Sequence, residues 1–348
     1  MEAQTNPLRI VSIGGGNGLS TLLRGLKRYV KAAPGGVDLT AIVTVTDDGG
    51  SSGRLRRDFD VLPPGDIRNC MAALAGDETL FARLFQYRFD SGRGLKGHSF
   101  GNLFLTAMTN LTGDFPTAVK LASEVLKVDG HIHPSTTSNV SLEATLADGR
   151  IVKGESRISR SKVPIERVDL VPRRVKPLAE TLQAIALADL ITLGPGSLFT
   201  SVIPNVLVEG ISKAIAASPA MKVYFVNLMS QPGETTNFRA SDHVAALLRH
   251  AGRQSRPVLD CCVVNTRAFS KRALDRYRVR QAKPVENDVD MLARMGIRVI
   301  EEDLIRMSGK TATAKIRHDS GAIAAVAMDL ATQARAKRKG GGAHHQSR

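Results

Sequence analysis

Two glycine-rich segments of this 348-residue chain have the composition of loops that bind phosphate groups. They are Gly14–Gly18 and Gly194–Ser197, and each directly follows a short apolar run. Glycines let the backbone approach an anion, and the N-terminus of a following helix directs free N–H groups and its positive dipole end toward it. The first segment is not the dinucleotide fingerprint, because Leu19 stands at the last required glycine, and it lacks the Gly-Lys-Ser/Thr of a P-loop.

The second segment repeats this chemistry with hydroxyl and backbone N–H groups but without a cation. Two such loops in one sheet suit an extended ligand with a pyrophosphate group, such as a nucleotide sugar. A glycine-rich turn without any ligand is the alternative. The candidate ligand-binding residues of the two loops are Gly14, Gly15, Gly16, Asn17, Gly18, Gly194, Gly196 and Ser197.

Asp47 and Asp48 are adjacent carboxylates at the predicted end of a strand, followed by the small residues 49–53. Such a pair can hold Mg²⁺, accept a hydrogen bond from a sugar hydroxyl, or act as a general base. Asp and Gly are also the commonest turn formers, so a capped turn is the competing interpretation. Both residues are candidate catalytic groups and Mg²⁺ ligands only if the protein is a transferase.

Two later segments, residues 65–69 and 97–102, each open a predicted helix. Asp66 is expected there as an N-cap, and Arg68 could pair with a phosphate or with an aspartate. His98 is a candidate acid or base, although a lone histidine is more often structural. Asn265 and the pair Arg317–His318 could help to recognise the ligand. The other candidate ligand-binding residues are Asp66, Arg68, Asn69, His98, Asn102, Asn227 and Arg317.

Alternating apolar runs and amphipathic patterns must position these residues. The runs predict strands at Leu8–Ile13, Leu39–Val45, Leu190–Leu193, Lys222–Val226 and Val258–Val264. Helical periodicity covers Asp66–Leu126, Leu178–Ala188, Val206–Ala217 and Asp242–Ala251. This alternation predicts an α/β fold with a parallel, doubly wound sheet, whose functional groups collect beyond the carboxyl ends of its strands.

The pattern changes to a period of two between Ser141 and Ser156. Asp148-Gly149 separates two short apolar segments there, which predicts a β-hairpin inserted around residues 140–157. A basic, proline-containing connector is expected to follow it. We therefore predict one domain over residues 8–331, a flexible N-terminus at residues 1–7, and a basic, disordered tail at 332–348.

The composition of the chain favours some classes of protein and argues against others. A formal net charge of +15 suggests an anionic partner, for the tail in particular, or else only a solvated basic surface. Aromatic residues make up 4% of the chain and Trp is absent, which argues against a platform for single-stranded nucleic acid. Three cysteines, a polar N-terminus and the lack of a long apolar run predict a cytoplasmic protein with no membrane span.

Five motifs follow one another along the chain: Ile13–Gly16, Thr46–Arg54, Gly65–Asn69, Gly97–Asn102 and Gly194–Ser201. Together they resemble the phospholactate-transferase-like (CofD-like) superfamily, and within it the gluconeogenesis-factor (YvcK-type) branch. The resemblance extends from about residue 8 to about residue 331. It implies a three-layer α/β/α, Rossmann-like fold and a cytoplasmic bacterial protein.

The resemblance also implies a function. The gluconeogenesis-factor branch is associated with cell shape and growth on gluconeogenic carbon sources, and with binding UDP-sugars such as UDP-N-acetylglucosamine or UDP-glucose. Asn227 and Arg317 stand where that branch contacts the nucleotide sugar, and the glycine loops would hold its phosphates. Asn17 stands where Thr is expected, and an amide cannot reproduce the same hydroxyl contact.

The transferase branch uses Mg²⁺ to move a phospholactyl group from a nucleotide diphosphate donor to a deazaflavin precursor. Asp47 and Asp48 match its acidic loop, which serves acceptor and metal. The leading hypothesis is a regulator that binds a UDP-sugar, and the alternative is a Mg²⁺-dependent transferase. Nucleic-acid binding through the basic surface is a third hypothesis, and homo-oligomerisation stays open.

Overall fold

Seven parallel strands form the central sheet of the computed structural model, which describes residues 6–33, 35–76, 80–279, 281–305 and 316–343. Three further strands form a small antiparallel sheet. In chain order the strands are β1 (Leu8–Gly14), β2 (Val37–Val43), β3 (His131–Pro134), β4 (Ser141–Leu146), β5 (Ile151–Lys153), β6 (Ile165–Val171), β7 (Leu190–Leu193), β8 (Met221–Phe225), β9 (Cys261–Asn265) and β10 (Arg298–Glu302).

Helices connect most of these strands. They are α1 (Gly16–Ala32), α2 (Gly50–Phe59), α3 (Gly65–Leu74), α4 (Leu80–Gln86), α5 (Phe100–Thr112), α6 (Phe115–Val125), α7 (Glu155–Ile158), α8 (Ala179–Leu187), α9 (Ile203–Val206), α10 (Ile211–Ala217), α11 (Ala240–Ala251), α12 (Lys271–Arg278), α13 (Val289–Arg294) and α14 (Ser320–Ala343). A π-helical turn at Leu198–Val202 precedes α9. The predicted doubly wound α/β architecture is confirmed.

The order of strands in the large sheet is β10-β9-β8-β7-β1-β2-β3. From β1 the chain proceeds to β2 and β3 on one side, whereas β7 to β10 extend the sheet on the other. Ile13 of β1 lies between Ile42 of β2 and Leu193 of β7. The boundary between β1 and β7 is therefore the topological switch point, where open α/β sheets bind their ligands.

Burial explains why these segments form the core. The central strands are almost wholly apolar, and Ile10, Ile13 and Leu193 are all at most 1% exposed. Strands covered on both faces require this composition. Helix α1 packs against α3 and α14, and its contact with α14 is very close. A Cβ on Gly25 would lie 1.9 Å from the carbonyl oxygen of Ser320, so only glycine fits there.

The small sheet has the order β5-β4-β6, and the predicted hairpin between β4 and β5 is confirmed. Gly149 turns it with a φ of +81°, which a residue with a side chain rarely adopts. The expected connector is wrong in part, because Ile165–Val171 forms β6. Its buried residues Ile165, Val168 and Leu170 alternate with charged side chains, and these charges obscured the strand in the sequence.

Two other predictions need correction. The helix predicted over 206–217 begins only at Ile211, as α10, because α9 ends at Val206. The disordered tail predicted from residue 332 is instead helical as far as Ala343, because Arg335 and Arg338 of α14 both bond to the buried carboxylate of Asp189. The predictions for residues 1–5 and 344–348 lie outside the described residues.

Within the described ranges, no single helix has both the length and the apolar content needed to cross a membrane. Among the helices that the structure describes, only the bent pair 198–206 and 211–217 meets those criteria when taken together, and it does so by length and composition alone.

Candidate functional site

The two glycine-rich loops meet at the switch point between β1 and β7. A Cβ on Gly18 would lie 2.2 Å from the carbonyl oxygen of Pro195, so the loops touch where only glycine leaves room. Gly16 has a φ of +59°, and helix α1 begins there without a side-chain cap from Gly15. Asp66 accepts the backbone N–H of Gly16, so the later N–H groups of the first turn of α1 and its positive dipole end are those left for an anion.

A cleft of about 630 Å³ opens over these loops, within the size range of small-molecule sites. Its lining comes from both halves of the sheet, from the small sheet and from the segments after β8 and β9. The described lining residues are Gly15, Gly16, Asn17, Gly18, Thr21, Asp47, Asp66, Glu155, Pro195, Gly196, Ser197, Thr200, Ser201, Asn227, Leu228, Met229, Ser230, Gln231, Pro232, Tyr277, Ala282, Ile316, Arg317 and His318.

Three carboxyl groups line the cleft on the side of the first glycine loop: Asp47, Asp66 and Glu155. Asp66 lies against that loop, since a Cβ on Gly15 would be 2.6 Å from its Oδ2. Burial, with a smaller contribution from the charge of Asp47, raises the pKa of Asp66 to about 7. Burial and the neighbouring acidic groups, Asp47 first among them, raise the pKa of Glu155 to about 8. Burial also raises the pKa of Asp47. This side of the cleft can therefore hold or exchange protons near neutral pH.

Glu155 is a site residue that sequence reasoning missed. It lies on α7, between β5 and β6 of the small sheet, far along the chain from the other two carboxylates. Asp48 brings it into place, since its Oδ1 accepts the N–H of Ser156 at 2.9 Å. Gly154 approaches so closely that a Cβ there would lie 2.2 Å from Oδ2 of Asp48. No local pattern in the sequence could indicate this contact.

The adjacent residues Asp47 and Asp48 thus have different surroundings. Asp47 lines the cleft, whereas Asp48 is outside its lining and anchors α7. In the described part of the chain no group of three or more His, Cys, Asp or Glu side chains could hold a metal ion. Mg²⁺ often needs only one or two protein carboxylates and takes further oxygens from substrate phosphates. The negative charges of Asp47 and Asp66 repel each other, and a cation between them would offset that repulsion. These two carboxylates therefore fit a Mg²⁺ ion that takes its other ligands from phosphate.

Asp66 is the predicted residue of α3 that lines the cleft. Four other predicted residues on α3 and at the start of α5 do not line it: Arg68, Asn69, His98 and Asn102. Arg68 donates to Oδ1 of Asn69 at 2.6 Å, and its charge favours ionisation of Asp66. The Asn102 amide donates to Ser52 at 3.4 Å, and Ser52 in turn bonds to Asp47. His98 is buried, with Nδ1 3.0 Å from Oγ of Ser51. These contacts hold the acidic loop in shape.

Gly14 and Gly194 also lie just outside the lining. The carbonyl of Gly14 accepts the side-chain amide of Asn205 at 3.1 Å, and Gly194 has a φ of +71°. Asn265 is turned away from the cleft. Its amide donates to the carbonyl of Arg267 at 2.8 Å, and its Oδ1 accepts the N–H of Leu304 at 3.1 Å.

A polar network joins Asn227 to the second glycine loop. Gln231 donates to Oγ of Ser197 at 2.8 Å and accepts from the Asn227 amide at 3.4 Å. Gln231 is a second residue that the sequence analysis missed, because the loop after β8 carries no recognisable motif. The backbone on either side of it is fixed, since Ser230 donates its N–H to the carbonyl of Lys283 at 2.7 Å.

Arg317 and His318 line the cleft from the segment before α14. Nε2 of His318 lies 3.3 Å from the carbonyl of Val226, and burial lowers the pKa of this histidine to about 4. A neutral His318 leaves Arg317 as the one cationic side chain among the described lining residues. An anionic ligand would therefore depend on Arg317 and on backbone N–H groups.

Comparison with known proteins gives consistent matches over most of the chain. Residues 10–305 match the family described as 2-phospho-L-lactate transferase CofD. The gluconeogenesis factor of Bacillus subtilis is 47% identical over 322 residues, which cover 92% of this chain and 98% of that protein. The gluconeogenesis factor of Halalkalibacterium halodurans is 47% identical over 293 residues, covering 84% and 88%. A crystal structure of a Bacillus halodurans protein matches with a TM-score of 0.87 and 43% identity, covering 93% of this chain and 100% of that one.

Proposed function

This chain belongs to the family of the 2-phospho-L-lactate transferase CofD, and on that premise we propose that it is a regulator that binds a UDP-sugar. UDP-N-acetylglucosamine and UDP-glucose are the ligands we expect, bound in the cleft between the two glycine loops. The relatives that are 47% identical are named gluconeogenesis factors. We propose that the protein acts in the cytoplasm, where ligand binding would link growth on gluconeogenic carbon to cell shape and envelope synthesis.

The observation that carries this proposal is the contact between Gly18 and Pro195. It brings two glycine loops to one point in front of the N-terminus of α1. A pyrophosphate bound there would receive N–H groups from both loops, and Arg317 would supply a counter-charge. Such an arrangement binds a diphosphate without a lysine in the loops.

The carboxyl groups support a sugar as the second half of the ligand. Sugar hydroxyls donate hydrogen bonds, and Asp47, Asp66 and Glu155 offer acceptors beside the phosphate loops. Glu155 belongs to the small sheet, whereas Arg317 belongs to the segment before α14. A bound ligand would hold these separate parts together, which gives a regulator a way to report whether ligand is present.

Calorimetric titration of the purified protein tests this function. UDP-N-acetylglucosamine, UDP-glucose, NAD and GDP are compared with and without Mg²⁺, and the ligand is recovered afterwards. We expect binding that is selective for UDP derivatives, independent of the metal, and leaves the ligand intact. Equal affinity for all four compounds, or no binding, would overturn the proposal.

Matched variants locate the binding site. Asn227→Ala and Arg317→Ala should each weaken binding by about tenfold, the loss of a hydrogen bond or ion pair to a charged group. Asn139→Ala and Arg253→Ala change exposed residues outside the cleft and should leave affinity unchanged. Unchanged affinity in both cleft variants would place the ligand elsewhere.

A Mg²⁺-dependent transferase is the second candidate, favoured by the raised pKa values of Asp66 and Glu155. Asp47 and Asp66 would hold the ion, which when bound would neutralise charge on the donor phosphates. If Asp47 did not bind the ion, it would instead take a proton from an acceptor hydroxyl. The glycine loops would stabilise the charge that develops on the pyrophosphate. Phosphorus NMR of the recovered ligand distinguishes the two functions. A metal-dependent cleavage product that disappears in Asp47→Asn, with binding retained, would establish the enzyme.

A further inference from the structure

Glu234, in the segment after β8, carries a buried carboxyl group and is not among the described residues that line the cleft. It is 3% exposed, and its Oε1 accepts the hydroxyl of Thr200 at 3.0 Å and that of Ser159 at 3.1 Å. Thr200 lies in the π-helical turn that follows the second glycine loop, and Ser159 is the C-cap of α7 in the small sheet. One oxygen atom therefore joins three segments that lie far apart along the chain.

The bond to Ser159 fixes the helix that carries Glu155. Ser159 donates its backbone N–H to the carbonyl of Glu155 at 2.9 Å, so the two residues belong to one turn. Asp48 holds the first turn of the same helix. The backbone beside Glu234 is packed closely as well, since a Cβ on Gly233 would lie 2.5 Å from the carbonyl oxygen of Ser161. Helix α7 is thus held on both sides, by the acidic loop and by the segment after β8.

Packing alone does not account for a glutamate at this position. Oε2 of Glu234 is buried and has no hydrogen-bond partner among the residues that the structure describes. Burial, as the largest cause, raises the pKa of Glu234, and its bonds to the two hydroxyl groups act in the opposite direction. An unpaired buried polar atom costs free energy, which an apolar side chain of similar size would avoid. What an apolar side chain could not do is accept the hydroxyl groups of Ser159 and Thr200.

We propose that Glu234 is a positioning residue of the ligand site, which fixes Glu155 relative to the second glycine loop by accepting both hydroxyl groups. The phosphates of the ligand would contact the glycine loops and its sugar would contact Glu155. A site whose contacts are already in place loses less entropy when a ligand binds to all of them. This inference rests on the proposed function and deepens it, because it names a residue that sets the preference for a UDP-sugar over UDP.

The test compares UDP-N-acetylglucosamine with UDP, which lacks the sugar, by calorimetric titration into the native protein and two variants. Glu234→Gln keeps the oxygen acceptor and should keep the ratio of the two affinities within about twofold of the native value. Glu234→Leu fills a similar volume but accepts no hydrogen bond. It should lower the ratio about tenfold, by weakening the UDP-sugar more than UDP. If Glu234 served packing alone, the leucine variant would keep the native ratio.

Hydrogen exchange of the ligand-free protein gives a second measurement, which does not depend on the identity of the ligand. The backbone amides of residues 155–160 should exchange about tenfold faster in Glu234→Leu than in the native protein, because α7 has lost one of its two attachments. Glu234→Gln should exchange at the native rate. Native exchange in the leucine variant would contradict the inference.

Ser159→Ala removes only the bond to the small sheet, and it tests the inference even if Glu234→Leu does not fold. It should lower the affinity ratio in the same direction, and adding Glu234→Leu should lower the ratio no further. Ser161→Ala is the matched control, since that hydroxyl donates to the carbonyl of Val163 at 3.0 Å. If the native protein binds UDP-N-acetylglucosamine and the Ser159 and leucine variants both keep the native ratio, the inference is wrong and the proposed function stands. If the native protein binds neither compound, the proposed function fails.

Discussion

The backbone N–H of Val168 donates to Nε2 of His250 at 3.0 Å, and this bond joins the small sheet to α11. The other ring nitrogen, Nδ1, lies 2.7 Å from the carbonyl of Ala246 and donates to it. The imidazole must therefore be neutral, with its proton on Nδ1. Burial, as the largest cause, lowers the pKa of His250 and favours that form. The sheet that carries Glu155 is held to the main body in part by an uncharged histidine.

We expect this bond to make stability depend on pH. The pKa of His250 is lower in the folded state than the ordinary value of about 6.5, so the unfolded chain binds its proton more readily. The stabilisation is fully present above the ordinary pKa and is lost as the pH falls below it. Urea denaturation at pH 5, 6, 7 and 8 should give a free energy of unfolding that decreases toward pH 5.

Substitution isolates the contribution of His250 from those of the other buried histidines. His250→Ala should lower the free energy of unfolding at pH 7 by about 1–3 kcal/mol, since Val168 loses its acceptor. It should also reduce the slope between pH 7 and 5. His131→Ala, at an exposed ring, is the matched control. An unchanged slope in His250→Ala would contradict this account.

Ligand affinity should fall as the pH rises from 6 to 9. Asp66, with a pKa of about 7, and Glu155, with a pKa of about 8, are neutral at the low end of this range and negative at the high end. Negative charge there repels a diphosphate. If the ligand raises the pKa of Glu155 by about one unit, affinity at pH 9 is about fivefold weaker than at pH 6. Titrations with UDP in metal-free buffer measure the dependence.

Glu155→Gln should flatten the upper part of that profile, because an amide stays neutral throughout. Glu166→Gln, at an exposed position on the same small sheet, should keep the native profile. If the Glu155 variant kept the native pH dependence of affinity, the charge of Glu155 would not contribute to ligand binding.

Gly18→Ala should abolish ligand binding. Its Cβ would lie 2.2 Å from the carbonyl oxygen of Pro195, so the two loops must separate. Overpacking of this kind costs about 1–3 kcal/mol. Gly76→Ala is the control, since a Cβ there has nothing within 4 Å. The free energy of unfolding of this variant should stay within about 0.5 kcal/mol of the native value. Thermal denaturation and UDP titration of both variants measure the effects, and normal binding by Gly18→Ala would refute the close approach.

Asp189→Asn should loosen α14. This carboxylate is buried, accepts the N–H of Arg9 at 2.9 Å and bonds to both Arg335 and Arg338. Loss of its charge should lower the free energy of unfolding by about 1–3 kcal/mol, the cost of unpaired charge-assisted bonds. Limited proteolysis should cut within α14 sooner than in the native protein. Asp329→Asn, at an exposed site on the same helix, should be cut at the native rate. Equal rates in both variants would contradict the role of Asp189.

Much of the fold could be predicted because its signals are local. Strand β7 has the predicted bounds, and β1 is one residue longer than predicted, since apolar runs that end at glycine mark both strands clearly. Strand β3 gave no such signal, because it has four residues and two of them are histidines. The hydrogen bonds to Asp189 that order the end of α14 join residues about 150 positions apart, and no local pattern contains them.

The residues of the candidate site were likewise predicted in part and missed in part. Most of the two glycine loops lines the cleft, together with Asp47, Asp66, Asn227 and Arg317. The loops, Asp47 and Asn227 were predicted because they follow strands, whereas Asp66 was predicted because it opens a helix and Arg317 because it is basic. Glu155, Gln231 and Tyr277 were missed because they follow no motif and reach the cleft through contacts such as that between Asp48 and Ser156, 108 residues apart. The UDP-sugar, Mg²⁺, an anionic partner for the tail and cytoplasmic localisation stay predictions.

The pairing of β1 with β7 also affects how the protein folds. Arg9 bonds to Asp189 across 180 residues, and the described chain between them forms two strands of the large sheet, the small sheet and eight helices before β7 can dock. Closing so long a loop costs entropy before the strand pairing returns any stabilisation, which slows folding. A nascent chain that has not yet emerged beyond Ser197 holds only one of the two glycine loops. The proposed ligand site is thus completed late in biosynthesis, and a ligand bound there would stabilise only molecules that have completed this step.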